Sequence, residues 1–135
     1  MASYAPWIPY TPTITGLTLG NGVASGWFRR DGTLLHVSFR VTAGTTTANG
    51  AGAWVVSLPS GMTSAAGRNQ WGAGNLFDSS AGQLWNVRWR TLPSVTTIDG
   101  YTGDGAASAA LAGTAPITIG TSDLLEGQLT IEVVP

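Results

Sequence analysis

The sequence predicts an all-β fold: a jelly-roll-like antiparallel β-sandwich of about eight or nine short strands with an extended N-terminal arm. Turn-forming Asn21-Gly22 and Asp31-Gly32 separate the first apolar segments, as in a meander of hairpins. No segment shows a sustained helical stripe of apolar residues. Three segments instead alternate apolar and polar residues, which is typical of half-buried strands; they are 33–41, 83–91 and 128–133.

The N-terminal segment, residues 1–13, is predicted to be an extended arm that precedes a single sandwich domain at 14–135. Pro6, Pro9 and Pro12 exclude a helix there, because each lacks a backbone donor and favours extended geometry in the residue before it. We expect this arm to dock on another surface, with Trp7 and Tyr10 in contact with a neighbouring subunit.

Shorter apolar segments between clusters of Gly, Ser, Thr and Asn are predicted to be the remaining strands. The Ala-rich stretch 106–111 is compatible with one helical turn, although Gly105 and Gly113 bracket it. The loops are expected at 43–52 and 60–67. The additional strands are expected at 14–19, 23–29, 53–58, 70–77, 95–101 and 116–119.

The composition limits the possible partners. A chain of 135 residues suits one domain with a real core. Charged residues make up 10% of the chain and the net charge is -1, so it lacks the concentrated positive field that attracts nucleic acid or an anionic membrane. Cysteine is absent, which excludes disulfides and thiolate chemistry. We expect neither a nucleic acid nor a membrane as a partner.

Residues that could support catalysis or bind a metal are few. His36 is the only histidine and lies on the polar face of its predicted strand, so we interpret it as a structural or interface residue. A glycosidase could use two carboxylates across a cleft, but most of the seven lie beside Gly or Ser, where such residues usually cap turns. We therefore predict no enzymatic activity, no cofactor and no metal site. The carboxylates are Asp31, Asp78, Asp99, Asp104, Asp123, Glu126 and Glu132.

The segment from Asp99 to Asp104 leaves one alternative open. Its two carboxylates are separated by glycine-containing sequence, and oxygen ligands of this kind could bind a calcium ion. The spacing lacks the denser acidic pattern of a calcium loop, so a plain hairpin tip is the favoured interpretation.

Tryptophan is abundant, with six residues. The alternation places Trp54, Trp85 and Trp89 on core-facing positions. Exposed aromatic rings on a β-face can also stack on sugars, so a carbohydrate-binding platform is the alternative to an interface. Aromatic residues and arginines concentrate at interface hot spots. The candidate residues for contacts with other subunits or particle proteins are Trp7, Ile8, Tyr10, Trp71, Arg88 and Arg90.

Two parts of the sequence together resemble a known group of modules. The opening contains Trp, Tyr-Thr-Pro, Gly-Asn-Gly, an aromatic-Arg-Arg strand and a strand through His-Val, at residues 7–16, 19–22, 27–32 and 35–37. It resembles the small β-sandwich modules of tailed bacteriophages, especially those of actinobacteria. The ending resembles the closing strands of the same modules, at residues 116–119, 123–125 and 127–133.

The resemblance implies a structural role in the virion, often with threefold association, and carries no catalytic residues. It leads us to expect a capsid decoration protein or a small minor tail protein, made in the host cytoplasm and located on the capsid or tail surface. The expected partners are further copies of the chain, as a homotrimer, and major capsid or tail proteins. The alternative is the receptor-binding or carbohydrate-binding head of a tail fibre, with a host surface glycan as partner.

Overall fold

The computed structural model describes residues 6–103, 109–112 and 116–135. Within these ranges all regular secondary structure is β, which confirms the predicted fold class. The strands are β1 (Ile8–Tyr10), β2 (Ile14–Thr15), β3 (Leu17–Thr18), β4 (Val23–Asp31), β5 (Leu34–Thr42), β6 (Ala48–Asn49), β7 (Val55–Ser57), β8 (Gln70–Asp78), β9 (Gln83–Thr91), β10 (Thr97–Thr102), β11 (Ala109–Ala110) and β12 (Leu124–Glu132).

One large sheet dominates the structure, and all its strand pairings are antiparallel. Its strands follow the order β1-β4-β5-β12-β8-β9-β10-β7-β2, and β11 pairs with β10. Strands β3 and β6 form a separate two-stranded sheet. The large sheet curls so that side chains from strands far apart in this order meet in one hydrophobic core. The result is a sandwich-like architecture in which one face of the sheet is enclosed.

The core is formed by the alternating apolar residues that the sequence pattern identified. Strands β5, β9 and β12 each bury every second residue, because successive side chains of a strand point to opposite faces. Trp54 and Trp89 are fully buried and Trp85 packs against the core, so the expected core positions of these three tryptophans are confirmed. The core residues of the long strands are Leu35, Val37, Phe39, Val41, Leu76, Val87, Trp89, Leu125, Leu129 and Ile131.

The indole of Trp89 lies near the centre of this core. Its ring meets the ring of Phe39 edge to face at a centroid distance of 4.9 Å, and its Nε1 donates a hydrogen bond to the Glu126 carbonyl at 3.0 Å. Gly127 leaves the space that both rings occupy. A Cβ atom on Gly127 would lie 2.5 Å from Phe39 Cζ and 2.6 Å from Trp89 Nε1, so any larger residue there displaces the rings.

Two predicted segments differ from the structure. Residues 116–119 do not form a strand, although Ile117 is buried. The chain turns directly after this segment, where Asp123 Oδ2 accepts a hydrogen bond from Gly120 N at 2.7 Å just before β12. The predicted strand 14–19 is divided at Gly16, whose φ of 83° breaks the extended backbone and sends β2 and β3 to different sheets.

The short strands β6 and β11 lie in segments where the sequence did not predict strands. Strand β6 lies within the predicted loop 43–52 and pairs with β3. Strand β11 shows that residues 109–110 of the Ala-rich stretch are extended, while residues 106–108 lie outside the described part of the chain. Segments of two residues are too short for a period of two to be recognised.

The N-terminal arm contributes an edge strand to its own domain. Strand β1 pairs with β4, and the Tyr10 ring meets Phe28 edge to face at 5.9 Å. The Tyr10 hydroxyl donates a hydrogen bond to the Ser57 carbonyl at 3.3 Å, and burial raises the pKa of this hydroxyl well above its usual range. We expected the arm to dock on a neighbour, but residues 8–10 bind the sheet that follows them. The edge of β4 that β1 pairs with belongs to the same chain, so this pairing costs no association entropy.

Candidate functional site on the outer face of the sheet

The side of the large sheet opposite the core is called here the outer face. It is formed by the second set of alternating residues on β4, β5, β12, β8 and β9. The strand register places one residue from each of these strands in a single cross-strand row. In order across the sheet, this row consists of Trp27, Ser38, Gln128, Ala73 and Arg88.

A groove of about 790 Å³ lies on this face over β5 and β12. It exists because small side chains, those of Ser38 and Ala73, lie in the middle of the row, while the large ring of Trp27 rises at one side. Trp7, which precedes β1, adds a second indole to the same side. We call this depression the central groove; its lining side chains on the outer face are Trp7, Trp27, His36, Ser38, Ala73, Gln128 and Thr130.

The central groove continues along the sheet into a second depression of about 480 Å³. Ser38, Ala73 and Gln128 line both of them, so the two depressions adjoin. Asn75 and Asn86 bring further amide groups to the continuation. The floor of the central groove carries neutral hydrogen-bonding groups, whereas the continuation is also lined by the charged residues Arg88 and Glu126.

A chain of polar contacts holds the aromatic side of the groove in place. The Arg29 guanidinium lies over the Trp7 ring at 5.5 Å from its centroid, and Arg29 Nε is 3.4 Å from Asp31 Oδ2. The same carboxylate oxygen is 3.2 Å from His36 Nε2, and His36 Nδ1 is 3.0 Å from the Thr130 hydroxyl. Both nitrogens of the histidine are therefore engaged. Carboxylate, imidazole and hydroxyl stand in the order of a nucleophilic triad, and here they orient the ring at the rim of the groove.

A second aromatic group lies beside the groove on β8, β9 and β10. It is called here the Trp71 cluster and consists of Trp71, Arg88, Arg90, Asp99 and Tyr101. Trp71 is 50% exposed, and the guanidinium groups of Arg88 and Arg90 lie 6.0 and 5.8 Å from its ring centroid. Arg90 donates to both carboxylate oxygens of Asp99, at 3.1 and 2.5 Å, and to the Tyr101 hydroxyl at 2.6 Å. The hydrogen bond that Arg90 donates to the Asp99 carboxylate raises the pKa of Arg90. The contacts of Arg90 therefore hold the Trp71 cluster in place while half of the Trp71 side chain stays exposed.

An apolar row crosses the far end of the outer face. The register aligns Val23 with Thr42, then Leu124, Phe77 and Leu84 on successive strands. Val23 is 60% exposed and Leu84 is 59% exposed, whereas Leu124 and Phe77 are half-buried. We call this set of residues the apolar end row. It lies four residues along each strand from the row that holds Trp27, a distance of about 13 Å at the rise of a β-strand.

The described carboxylates are engaged in local contacts. Asp78 caps a turn by accepting from the Ser80 hydroxyl and from the Ser80 and Ala81 amides, and these hydrogen bonds, that of the hydroxyl first, lower its pKa. Asp123 caps the turn before β12. Glu126 pairs with Arg40 and Glu132 with Arg68. Of the two carboxylates considered for calcium, Asp99 is bound to Arg90, and Asp104 lies outside the described residues.

The six residues predicted for contacts with partners lie in three places. Trp7 is 49% exposed and lines the central groove, and Ile8 is 46% exposed on the edge strand β1. Tyr10 is half-buried against its own domain. The remaining three, Trp71, Arg88 and Arg90, come together in the Trp71 cluster.

The sequence interpretation did not identify Trp27, the polar floor or the apolar end row. Trp27 could have been found, because Ala24, Gly26 and Phe28 alternate with it and face the core. The polar floor and the apolar end row could not have been found from the sequence. Their residues come from several strands whose order in the sheet differs from their order in the chain.

Within the described ranges, no group of three or more His, Asp or Glu residues is placed to bind a metal ion. Nor does this part of the chain contain a helix long and apolar enough to cross a membrane. Comparison of the chain with family models, with curated proteins and with solved structures finds no match.

Proposed function

We propose that this chain is a non-enzymatic structural protein of a tailed-phage virion, a capsid decoration or small minor tail protein, that assembles as a homotrimer through the apolar end row. The observation that carries the proposal is the exposure of Val23 and Leu84, at 60% and 59%, at the two ends of a row that also contains Leu124 and Phe77. Monomeric soluble proteins rarely expose contiguous apolar patches, and such patches mark interaction sites.

The shape of the row supports contact between flat surfaces. Four neighbouring strand spacings separate β4 from β9, so the row is about 19 Å long. Its residues stand on long, fully paired strands, which present them rigidly and reduce the entropy lost on association. The low charge of the chain adds little repulsion between copies.

The location in a phage particle is supported by the resemblance of the opening and closing segments to phage β-sandwich modules. A virion lattice would repeat each modest contact many times, and avidity would then hold the protein in place. The local engagement of the described carboxylates by arginine and by turn amides supports a structural role for these groups.

Sedimentation equilibrium of the purified chain tests the assembly. We expect a trimer, and we expect the double substitution Val23→Ser with Leu84→Ser to shift the protein towards monomer while its circular dichroism stays unchanged. The matched control is Leu92→Ser with Val134→Ser, which changes two other exposed apolar residues, 40% and 44% exposed, away from the row. A wild-type chain that stays monomeric at high concentration would contradict the proposed assembly.

Mass spectrometry of purified particles of the encoding phage tests the location. We expect the chain at a fixed copy number per particle, in a multiple of three. A chain that is abundant in infected cells but absent from washed particles would contradict a virion role.

A further inference from the structure

We infer that the central groove is a binding site for a neutral oligosaccharide, with the indoles of Trp7 and Trp27 as stacking surfaces and Gln128 and Ser38 as hydrogen-bonding groups of the floor. This inference does not depend on the apolar end row, which lies about 13 Å away along the strands.

The first argument is the exposure of the two rings. Trp7 is 49% exposed and Trp27 is 42% exposed, and both line one side of the groove. A pyranose ring presents a face of C–H groups that packs on the electron-rich face of an indole. Arg29 holds the Trp7 ring from its own side at 5.5 Å, so the ring is restrained before any ligand arrives. Restraint of this kind lowers the entropy cost of binding.

The second argument is the chemistry of the floor. Gln128 is exposed and Ser38 half-buried, and neither side chain forms a hydrogen bond with any residue that the structure describes. An apolar ligand over them would leave the amide and the hydroxyl without partners, which is unfavourable. A ligand rich in hydroxyl groups would satisfy both.

The third argument is charge. No carboxylate lines the central groove, and the nearest cation on its aromatic side, Arg29, is compensated by Asp31 at 3.4 Å. His36 uses one ring nitrogen for Asp31 and the other for Thr130. A strongly anionic ligand would therefore find no uncompensated cation at this site. The floor fits a neutral polyol better than a phosphate or an acidic peptide.

The fourth argument is shape. The groove volume of about 790 Å³ lies in the range of ligand sites, and an adjoining depression of about 480 Å³ extends it. The charged residues that line this extension have local partners, since Glu126 pairs with Arg40 and Arg88 donates to the Gly103 carbonyl. Three strand spacings separate Trp27 from Ala73, so the groove is about 14 Å wide. An elongated, shallow site with repeated amides suits a chain of sugars more than a single ring or the flat face of a second subunit.

Isothermal titration with the hexaoses of four neutral sugars, namely malto-, cello-, manno- and galactohexaose, tests the site, with hexagalacturonate as the acidic comparison. We expect at least one neutral hexaose to bind and hexagalacturonate to bind at least tenfold more weakly. Trp27→Ala and Trp7→Ala should each weaken binding at least tenfold, which is about 1.4 kcal/mol. Gln128→Ala, which removes no ring, should weaken it about threefold to tenfold.

The matched control is Leu84→Ala, which changes a 59% exposed apolar residue of the same face outside the groove. We expect this variant to bind the hexaose as the wild type does, even if its assembly changes. Binding of no neutral hexaose, or equal loss in Leu84→Ala and Trp27→Ala, would overturn the inference. A shift of Trp27→Ala from trimer to monomer without any sugar binding by the wild type would instead assign the groove to a second copy of the chain. A wild-type chain that binds a neutral hexaose but stays monomeric would overturn only the proposed assembly.

Discussion

The inner and outer faces of the large sheet each carry three tryptophans, but the two sets have opposite environments. Trp54 and Trp89 are fully buried and Trp85 is packed against the core. On the outer face, Trp7, Trp27 and Trp71 are 42% to 50% exposed, and arginines lie over the rings of Trp7 and Trp71. Tryptophan therefore stabilises the hydrophobic core on the inner face, whereas on the outer face its exposed rings can contact a ligand or a partner.

The partners of the rings explain this division. The Trp89 indole fills a space left by Gly127 and donates its N–H to a backbone carbonyl. On the outer face, Trp7 and Trp71 instead lie beside guanidinium groups and remain half exposed. Four predictions test this comparison, in order of decreasing change in stability.

Replacing a tryptophan by alanine should lower the free energy of unfolding strongly on the inner face and very little on the outer face. We expect Trp89→Ala to lower the free energy of unfolding by about 3–5 kcal/mol, because it leaves a cavity in the core. Trp27→Ala on the outer face should change it by no more than about 0.5 kcal/mol. Urea denaturation of both variants measures the difference. Similar losses in the two variants would mean that the outer rings belong to the core.

A single added methyl group should also be costly next to Trp89. Gly127→Ala places a Cβ atom 2.5 Å from the Phe39 ring, and we expect a loss of about 2 kcal/mol from the displaced rings. The control is Gly120→Ala, whose Cβ atom would meet Asp123 Oδ2 only at 3.7 Å. Denaturation midpoints that move equally for both variants would contradict a tight inner face.

Tyr10 should make the stability of the domain sensitive to alkali. Burial raises the pKa of its hydroxyl in the folded state, so its contribution is fully present below the unfolded pKa of about 10 and is lost as the pH rises through the folded value. Between pH 8 and pH 11 we expect the wild type to lose about 1.4 kcal/mol more than Tyr10→Phe, since each pH unit above the unfolded pKa adds about 1.36 kcal/mol. Parallel pH profiles of the two proteins would refute this.

Two ion pairs of the outer face should contribute modestly different amounts to the free energy of unfolding. The Arg90–Asp99 pair has side chains that are only 21% and 23% exposed, whereas those of the Arg40–Glu126 pair are 53% and 41% exposed. Arg90→Gln should cost about 1 kcal/mol, because a charge-assisted pair with two donors is lost. Arg40→Gln should cost about 0.3 kcal/mol, since solvent screens an exposed pair. The urea midpoint should therefore fall more for Arg90→Gln than for Arg40→Gln. The opposite result would mean that the Arg90–Asp99 pair does not stabilise the Trp71 cluster.

Much of the inner face could be read from the sequence. The alternation of Leu35, Val37 and Phe39 predicted both a strand and the side of it that is buried, because the period of two is a local property of extended backbone. The same rule identified Trp85 and Trp89 as core-facing residues. Residues 116–119 show its limit, because their apolar pattern predicts a strand that the structure does not contain, although Ile117 is buried.

The candidate site could be predicted only in part. Trp7, Trp71, Arg88 and Arg90 were singled out by residue type, and the structure brings three of them together in the Trp71 cluster. Tyr10 was singled out with them, yet it packs within its own domain, since an edge strand was available to receive β1. Residue type indicates the capacity for a contact but not which surface receives it.

The all-β class, the positions of the long strands and the buried faces of those strands could be predicted from sequence, because each depends on the alternation of neighbouring residues. The tertiary structure alone decided that β12, the last strand, lies between β5 and β8. That insertion places Gln128 between Ser38 and Ala73 and so creates the floor of the central groove. Strand order depends on pairings between residues far apart in the chain, and a local pattern does not encode them.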